Sequence, residues 1–206
     1  MMSLLEKLQT NVLTADGAMG TILYSYGIDY CYEELNIEKP EIIEKIHHDY
    51  IEAGADIIQT NTYSANAVKL ARYGLENRVT EFNKAAIQIA KRAAAPGGQF
   101  VLGTIGGLRG IRKSDASLDE VKQVVLEQAN ALLTGDPDGL LLETYYDFEE
   151  LSSVVSTLRQ ITDVPLIAQV SMHDPGVLQN GLSLNDALHQ LESLGASIVG
   201  VNCRLG

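Results

Sequence analysis

Six times along this chain a short apolar, β-branched run closes in a small group of polar residues, and a segment of helical periodicity follows before the next run. The runs close at Asp16 and Gly17, Thr60 and Asn61, Thr104, Glu143 and Thr144, Gln169 and Ser171, and Asn202 and Cys203. This is the rhythm of repeated β/α units, in which polar residues at the carboxyl ends of parallel strands gather on one face and chemistry is built there. The runs are apolar throughout rather than alternating, as in parallel strands covered on both faces. Two architectures meet that description. A doubly wound sheet is expected to carry a glycine-rich phosphate turn after its first strand, and DGAMGT at residues 16–21 is not GxGxxG. The (β/α)8 TIM barrel has no such requirement, but it needs roughly 250 residues. The 206-residue chain is therefore read as one α/β domain, residues 1–206, holding the first six units of a barrel and stopping before the final two strands.

The elements follow from local signals. Residues 11–21 read as a strand that breaks at Asp16 and Gly17, and Pro40 opens a helix with Ile43, Ile46, Tyr50 and Ala53 at helical spacing, stopped by Gly54. Strand two spans residues 56–62. A helical pattern runs from Ser64 to Ala95, broken near Gly74, before strand three at 99–105. Ser117 with Glu120, and Asp147 with Glu150, have the spacing of capping boxes for the next two helices. Strand four is GLLLET, Pro165 starts strand five, Ser183 caps the last helix, Gly195 ends it, and SIVGVNC is strand six.

Fifteen basic against 27 acidic residues give a net charge of -12, which repels nucleic acid and anionic lipid surfaces and favours a small-molecule ligand. Two cysteines, Cys31 and Cys203, with no secretory segment and no apolar stretch of transmembrane length, point to a reducing cytoplasm.

The strand-end residues admit competing readings. Asp16 could bind an ammonium group while the amides of Gly17 and Ala18 bind a carboxylate, or the Asp-Gly pair could be a plain turn. Glu143 is a cation ligand, a general base or a structural partner of a neighbouring helix. The loop GTIGGLRG, residues 103–110, with Arg109, Arg112 and Lys113 nearby, matches no phosphate motif and is read as a close backbone approach. Tyr24, Tyr26, Tyr30 and Tyr32 are read as packing of a long loop. Adjacent His47 and His48 point to different azimuths and are read as surface residues, and Cys31 as inert. Cys203 ends a strand, either with its thiol in the barrel mouth or as a buried cysteine.

Five segments, in order, resemble the homocysteine S-methyltransferase family: DGAMGT at 16–21, QTNTYSAN at 59–66, GTIGG at 103–107, LLLET at 140–144 and GVNC at 200–203. The opening stretch is most similar to bacterial proteins that join this module to a methylenetetrahydrofolate reductase domain, which the resemblance implies as a carboxyl-terminal partner. It implies transfer of a methyl group to homocysteine in a zinc barrel. Asp16 and Glu143 would hold the substrate ammonium, the amides of Gly17 and Ala18 its carboxylate, and Cys203 one of three zinc thiolate positions. The other two thiolates belong to a motif at the last strand, which this chain lacks, so these residues alone are expected to be inactive. Zinc would supply the deprotonation that a thiol of pKa about 8.5 needs at neutral pH. No proton-transfer residue is assigned. The methyl donor stays open between a methylfolate acting through cobalamin, a methylsulfonium compound and a betaine. Two other classes remain: a barrel lyase or hydrolase with Glu143 as general base, and a non-catalytic interaction module.

Overall fold

The computed structural model describes residues 2–109 and 116–204. Five strands, β1 (Ile57–Gln59), β2 (Phe100–Gly106), β3 (Gly139–Tyr145), β4 (Leu166–Val170) and β5 (Ile198–Val201), form one sheet. All pairings are parallel, and the strands lie side by side in chain order. A doubly wound sheet reverses its strand order at a switch point. This sheet does not, and it is an incomplete (β/α)8 barrel.

Helices α1 (Leu4–Leu8), α2 (Met19–Ser25), α3 (Leu35–Glu38) and α4 (Pro40–Glu52) precede β1. Helices α5 (Ala67–Leu70) and α6 (Val79–Ala94) follow β1, and α7 (Leu118–Leu133), α8 (Phe148–Leu158) and α9 (Leu184–Ser193) follow β2, β3 and β4 in turn. Their apolar faces cover the outside of the sheet, where Ile87, Val125, Leu132, Val154 and Leu191 pack with Val101, Leu140, Leu142 and Leu166.

Four expectations need correction. The first strand is reduced to a single parallel rung between Ala15 and Ile57. Asp16 N–H donates to the Ile57 carbonyl at 2.9 Å, but the N–H of Gln59 then donates to Asp16 Oδ2, also at 2.9 Å. A side-chain oxygen takes the acceptor position that a continuing strand would fill with its carbonyl, and the ladder stops. Asp147 does cap α8 through the N–H groups of Glu149 and Glu150, but Glu150 returns no bond to the cap. Its buried carboxylate accepts instead from the N–H groups of Leu108 and Arg109 at 2.6 and 2.9 Å, bracing the loop after β2.

His47 is fully buried, since it shares the inner face of α4 with Ile43 and Ile46, and neither ring nitrogen has a hydrogen-bond partner. Burial pushes its imidazole down to about 4. Tyr24, Tyr26 and Tyr30 are exposed, so packing accounts only for Tyr32, which lies against the Leu23, Leu35 and Ile43 cluster. Cys31 is buried, and burial followed by the nearby Glu33 carboxylate pushes its thiol up to about 11. Arg112, Lys113 and Gly110 lie outside the described residues.

Inside the sheet, Ile57, Leu102, Leu141 and Ile167 form an apolar layer that Leu4 of α1 closes from below. Side chains alternate along a strand, so residues two positions onward share the same face. Those residues are Gln59, Thr104, Glu143 and Gln169, with Gly200 in the matching place on β5 and Asn202 beyond it. One apolar layer thus carries one polar layer at the carboxyl ends.

Candidate functional site

The polar layer is the floor of a cavity of about 1280 Å³ at the carboxyl ends of the strands. Asp16, Gly17 and Ala18 form one side, Glu143, Thr144, Asn202 and Cys203 another, and Tyr63, Lys69, Arg72 and Tyr73 a third. The expected site residues, scattered over most of the chain, are brought together.

Asp16 is anchored by one residue at two points: Gln59 donates its backbone N–H to Oδ2 and its Nε2 to Oδ1, at 2.9 and 2.8 Å. Burial raises the carboxyl to about 7, opposed by the Gln59 hydrogen bonds, and Glu143 adds to the rise. Glu143 is also raised, chiefly by burial, with Lys69 and the Asn202 hydrogen bond acting against it. Neither carboxylate forms an ion pair among the described residues. Both carboxyls are thus raised chiefly by burial and held by neutral amides, and a cationic group placed beside them would favour their charged forms.

Asn202 links two strand ends. Its Nδ2 donates to Glu143 Oε2 at 3.2 Å and to Thr144 Oγ1 at 2.8 Å, while its Oδ1 accepts from Thr144 N–H at 2.9 Å. Thr144 has φ 59°, at the irregularity between Leu142 and Tyr145 where β3 slips against β4. The left-handed backbone at a β-branched residue is strained, and the Asn202 clamp holds it.

Beneath the first side, Tyr50 of α4 donates to the Ala18 carbonyl at 3.3 Å. A side chain at Gly17 would meet the Tyr50 hydroxyl at 2.8 Å, so the backbone of residues 17 and 18 lies directly on that ring. Residues 17 and 18 are exposed toward the cavity. The glycine loop after β2 is a close approach, as its sequence suggested: a Cβ on Gly106 would lie 2.4 Å from the Tyr63 ring and 2.6 Å from its carbonyl oxygen.

Cys203 is exposed and lines the cavity, which removes the buried-cysteine alternative, and its φ is 63°. A thiol here is a soft ligand suited to zinc. One thiol is not a zinc site, and among the described residues no three His, Cys, Asp or Glu side chains gather as a metal-binding group. The residues present do not by themselves fit the metal.

Sequence reading gave no site role to Gln59, Tyr63 or Lys69, and named Asn202 only as a strand-closing residue without a role. For Gln59 and Asn202 the signal was present in the parity of the strands, counted onward from the apolar layer. For Lys69, on α5, no local pattern marks it.

The chain matches the profile of a family described as Homocysteine S-methyltransferase over residues 13–205. It is 32% identical to a methionine synthase of Mycobacterium tuberculosis and 31% identical to one of Mycobacterium leprae, each over 98% of this chain. It spans only about a fifth of the length of those relatives: 19% and 18%. In solved structures, the homocysteine methyltransferase MmuM from Escherichia coli superimposes with a TM-score of 0.83 in both its oxidized and its metallated form. That likeness covers 95% of this chain and 75–76% of the other, at 24% identity, and shows the shared fold.

Proposed function

The chain belongs to the homocysteine S-methyltransferase family, and on that footing we propose that its cavity binds homocysteine for transfer of a methyl group to sulfur, giving methionine. Asp16 and Glu143 hold the ammonium group, and the backbone amides of Gly17 and Ala18 receive the carboxylate. Cys203 would supply one soft ligand to the zinc that the family implies, a site the described residues do not complete. The observation that carries this reading is the convergence of two carboxylates from separate strand ends, each oriented by an amide side chain and neither ion-paired among the described residues.

The roles divide by chemistry. Gln59 fixes both oxygens of Asp16, and Asn202 fixes one oxygen of Glu143, leaving the other free to accept. Bringing an ammonium group between the two offsets the burial that chiefly raises Asp16 and the smaller repulsion from Glu143. The amino acid is thereby oriented with its sulfur end away from the carboxylates. In the transfer itself the thiolate sulfur forms a bond to the methyl carbon as the donor's bond to that carbon breaks, and the bonding pair leaves with the donor. The carboxylates select and orient an amino acid and move no proton.

The chain has two cysteines, of which Cys31 is buried away from the cavity lining, so a single thiol faces the substrate. Residues 1–206 are proposed as one module, cytoplasmic, that binds homocysteine without turning it over unaided, and that works with a methylenetetrahydrofolate reductase domain. Calorimetric titration tests the binding reading. Asp16→Asn and Glu143→Gln should each weaken homocysteine by at least about thirtyfold, the lower end for truncating one side of a charge pair. Unchanged affinity in both variants contradicts the reading, and steady formation of methionine by these residues alone contradicts the proposed inactivity.

A further inference from the structure

The buried apolar residues fall into separate clusters, and residues 19–38 share none with the sheet. Leu23, Ile28 and Leu35 pack on Ile43, Ile46 and Ile89, and Cys31 packs on Leu70, Val79 and Phe82. Neither the core outside the sheet nor the apolar layer inside it contains a residue from 19–38. Upstream, the chain meets the sheet through the single rung at Ala15. The segment is tied to the loop after β1 by a few polar contacts. Asn36 and Asn61 bond to each other in both directions at 2.9 and 3.1 Å, and Glu33 accepts from Ser64 N–H at 2.8 Å. A unit that shares few apolar contacts with the rest opens on its own, at less cost than the whole fold.

His47 stands on the face of α4 against which this unit is laid. It lies one turn on from Ile43, it is fully buried, and both its ring nitrogens lack a partner among the described residues. A neutral imidazole is tolerated in such a place, whereas an imidazolium needs water or a carboxylate. Neither is at hand. On its own helix His48 opposes the charge and Glu44 favours it only weakly, being already paired with Arg92 of α6 at 3.0 Å. Tyr50, one turn further on, donates to the Ala18 carbonyl. On the elements packed around α4, Tyr24 of α2, Glu38 of α3, and Glu81, Lys84 and Arg92 of α6 are exposed, Lys91 pairs with Asp138, and β1 carries no ionisable group.

We propose that His47 is the acid trigger of a local opening: protonation of its ring lifts residues 19–38 from α4 while the sheet stays folded. Met19 directly follows Ala18, and Tyr32 lines the cavity, so the opening withdraws one side of the mouth. It follows from packing alone and stands whether or not the cavity binds homocysteine. The closed ring titrates at about 4 and the open one near 6.5, so the open form takes the proton first as pH falls. Glu33 and Asp16, both raised chiefly by burial, act with the opposite sign.

The test is hydrogen exchange, read peptide by peptide on the 206-residue chain at pH 7 and pH 5 and corrected for intrinsic rates. His47→Leu and His47→Gln, which do not titrate at this position, cancel the contributions of Glu33 and Asp16. Between pH 7 and 5 the opening of residues 19–38 in the parent chain, relative to either variant, should rise about twentyfold. Peptides from β2, β3 and β4 should show no such rise. A parent-to-variant ratio that does not change with pH, or an equal change in the sheet peptides, would overturn the proposal. If neither variant folds, magnetic resonance titration of the His47 ring in the parent chain decides. The ring should take up its proton as residues 19–38 lose protection and the sheet amides keep theirs, and a ring that titrates only as the sheet unfolds overturns the proposal.

Discussion

Asp16 is a carboxyl group raised to about 7, chiefly by burial, and its charge is what a bound ammonium group needs. Below that value it is protonated and cannot pair. Homocysteine affinity should therefore rise with pH between about 6 and 8, and Asp16→Asn should flatten that limb, as calorimetry at three pH values would show. His47 acts on stability with the opposite sign. Its folded value of about 4 lies below the ordinary 6.5, so the unfolded chain takes up the proton first as pH falls. Stability present above about 6.5 is lost toward 4, by about 3 kcal/mol in all. The raised Asp16 works against this in the same window, since its contribution is lost as pH rises through 7. His47→Leu separates the two: its urea midpoint at pH 5 should exceed that of the parent chain, and a lower midpoint would contradict the account. The burial of His47 is legible in the sequence: adjacent to His48 but at a different azimuth, it completes the i, i+3, i+4, i+7 stripe with Ile43, Ile46 and Tyr50. The two-point anchoring of Asp16 by Gln59 was not legible, because it depends on which residues face each other across the first rung.

Between elements, Asn202 ties the end of β5 to the end of β3, and its three hydrogen bonds converge on Glu143 and the strained Thr144. Asn202→Ala should destabilise the fold by about 1–3 kcal/mol through the bonds left unmade and should weaken homocysteine by releasing Glu143. Denaturant unfolding and titration of the same sample check both, and a loss of stability without loss of affinity would make Asn202 merely structural. Glu150 shows how an element-level reading goes astray. Its spacing from Asp147 fits a capping box, yet two backbone amides of the loop after β2 compete for the same carboxylate and win. Nothing local to α8 announces donors some 40 residues earlier in the chain. Helix boundaries, by contrast, are carried by local signals, with Pro40, Ser117 and Ser183 at helix starts and Gly54 just past a helix end, as the structure has them.

The whole molecule is a parallel sheet in chain order, apolar in the layer closed by α1 and polar at the opposite mouth. Its rhythm of β/α units allowed two architectures, and DGAMGT in place of a glycine-rich phosphate turn after the first strand chose the barrel. What the rhythm could not give is which polar residues meet, since that requires the inward parity of every strand at once. At this scale the central claim is that the mouth is an amino-acid receptor whose selectivity comes from Asp16 and Glu143. The most direct measurement is calorimetric titration of the 206-residue chain at pH 8 with homocysteine and with its desamino analogue, which keeps the thiol and the carboxylate. The account predicts that homocysteine binds and that the analogue is weaker by about a hundredfold, the cost of leaving two partly buried carboxylates without their cation. Equal affinity for the two compounds would contradict it.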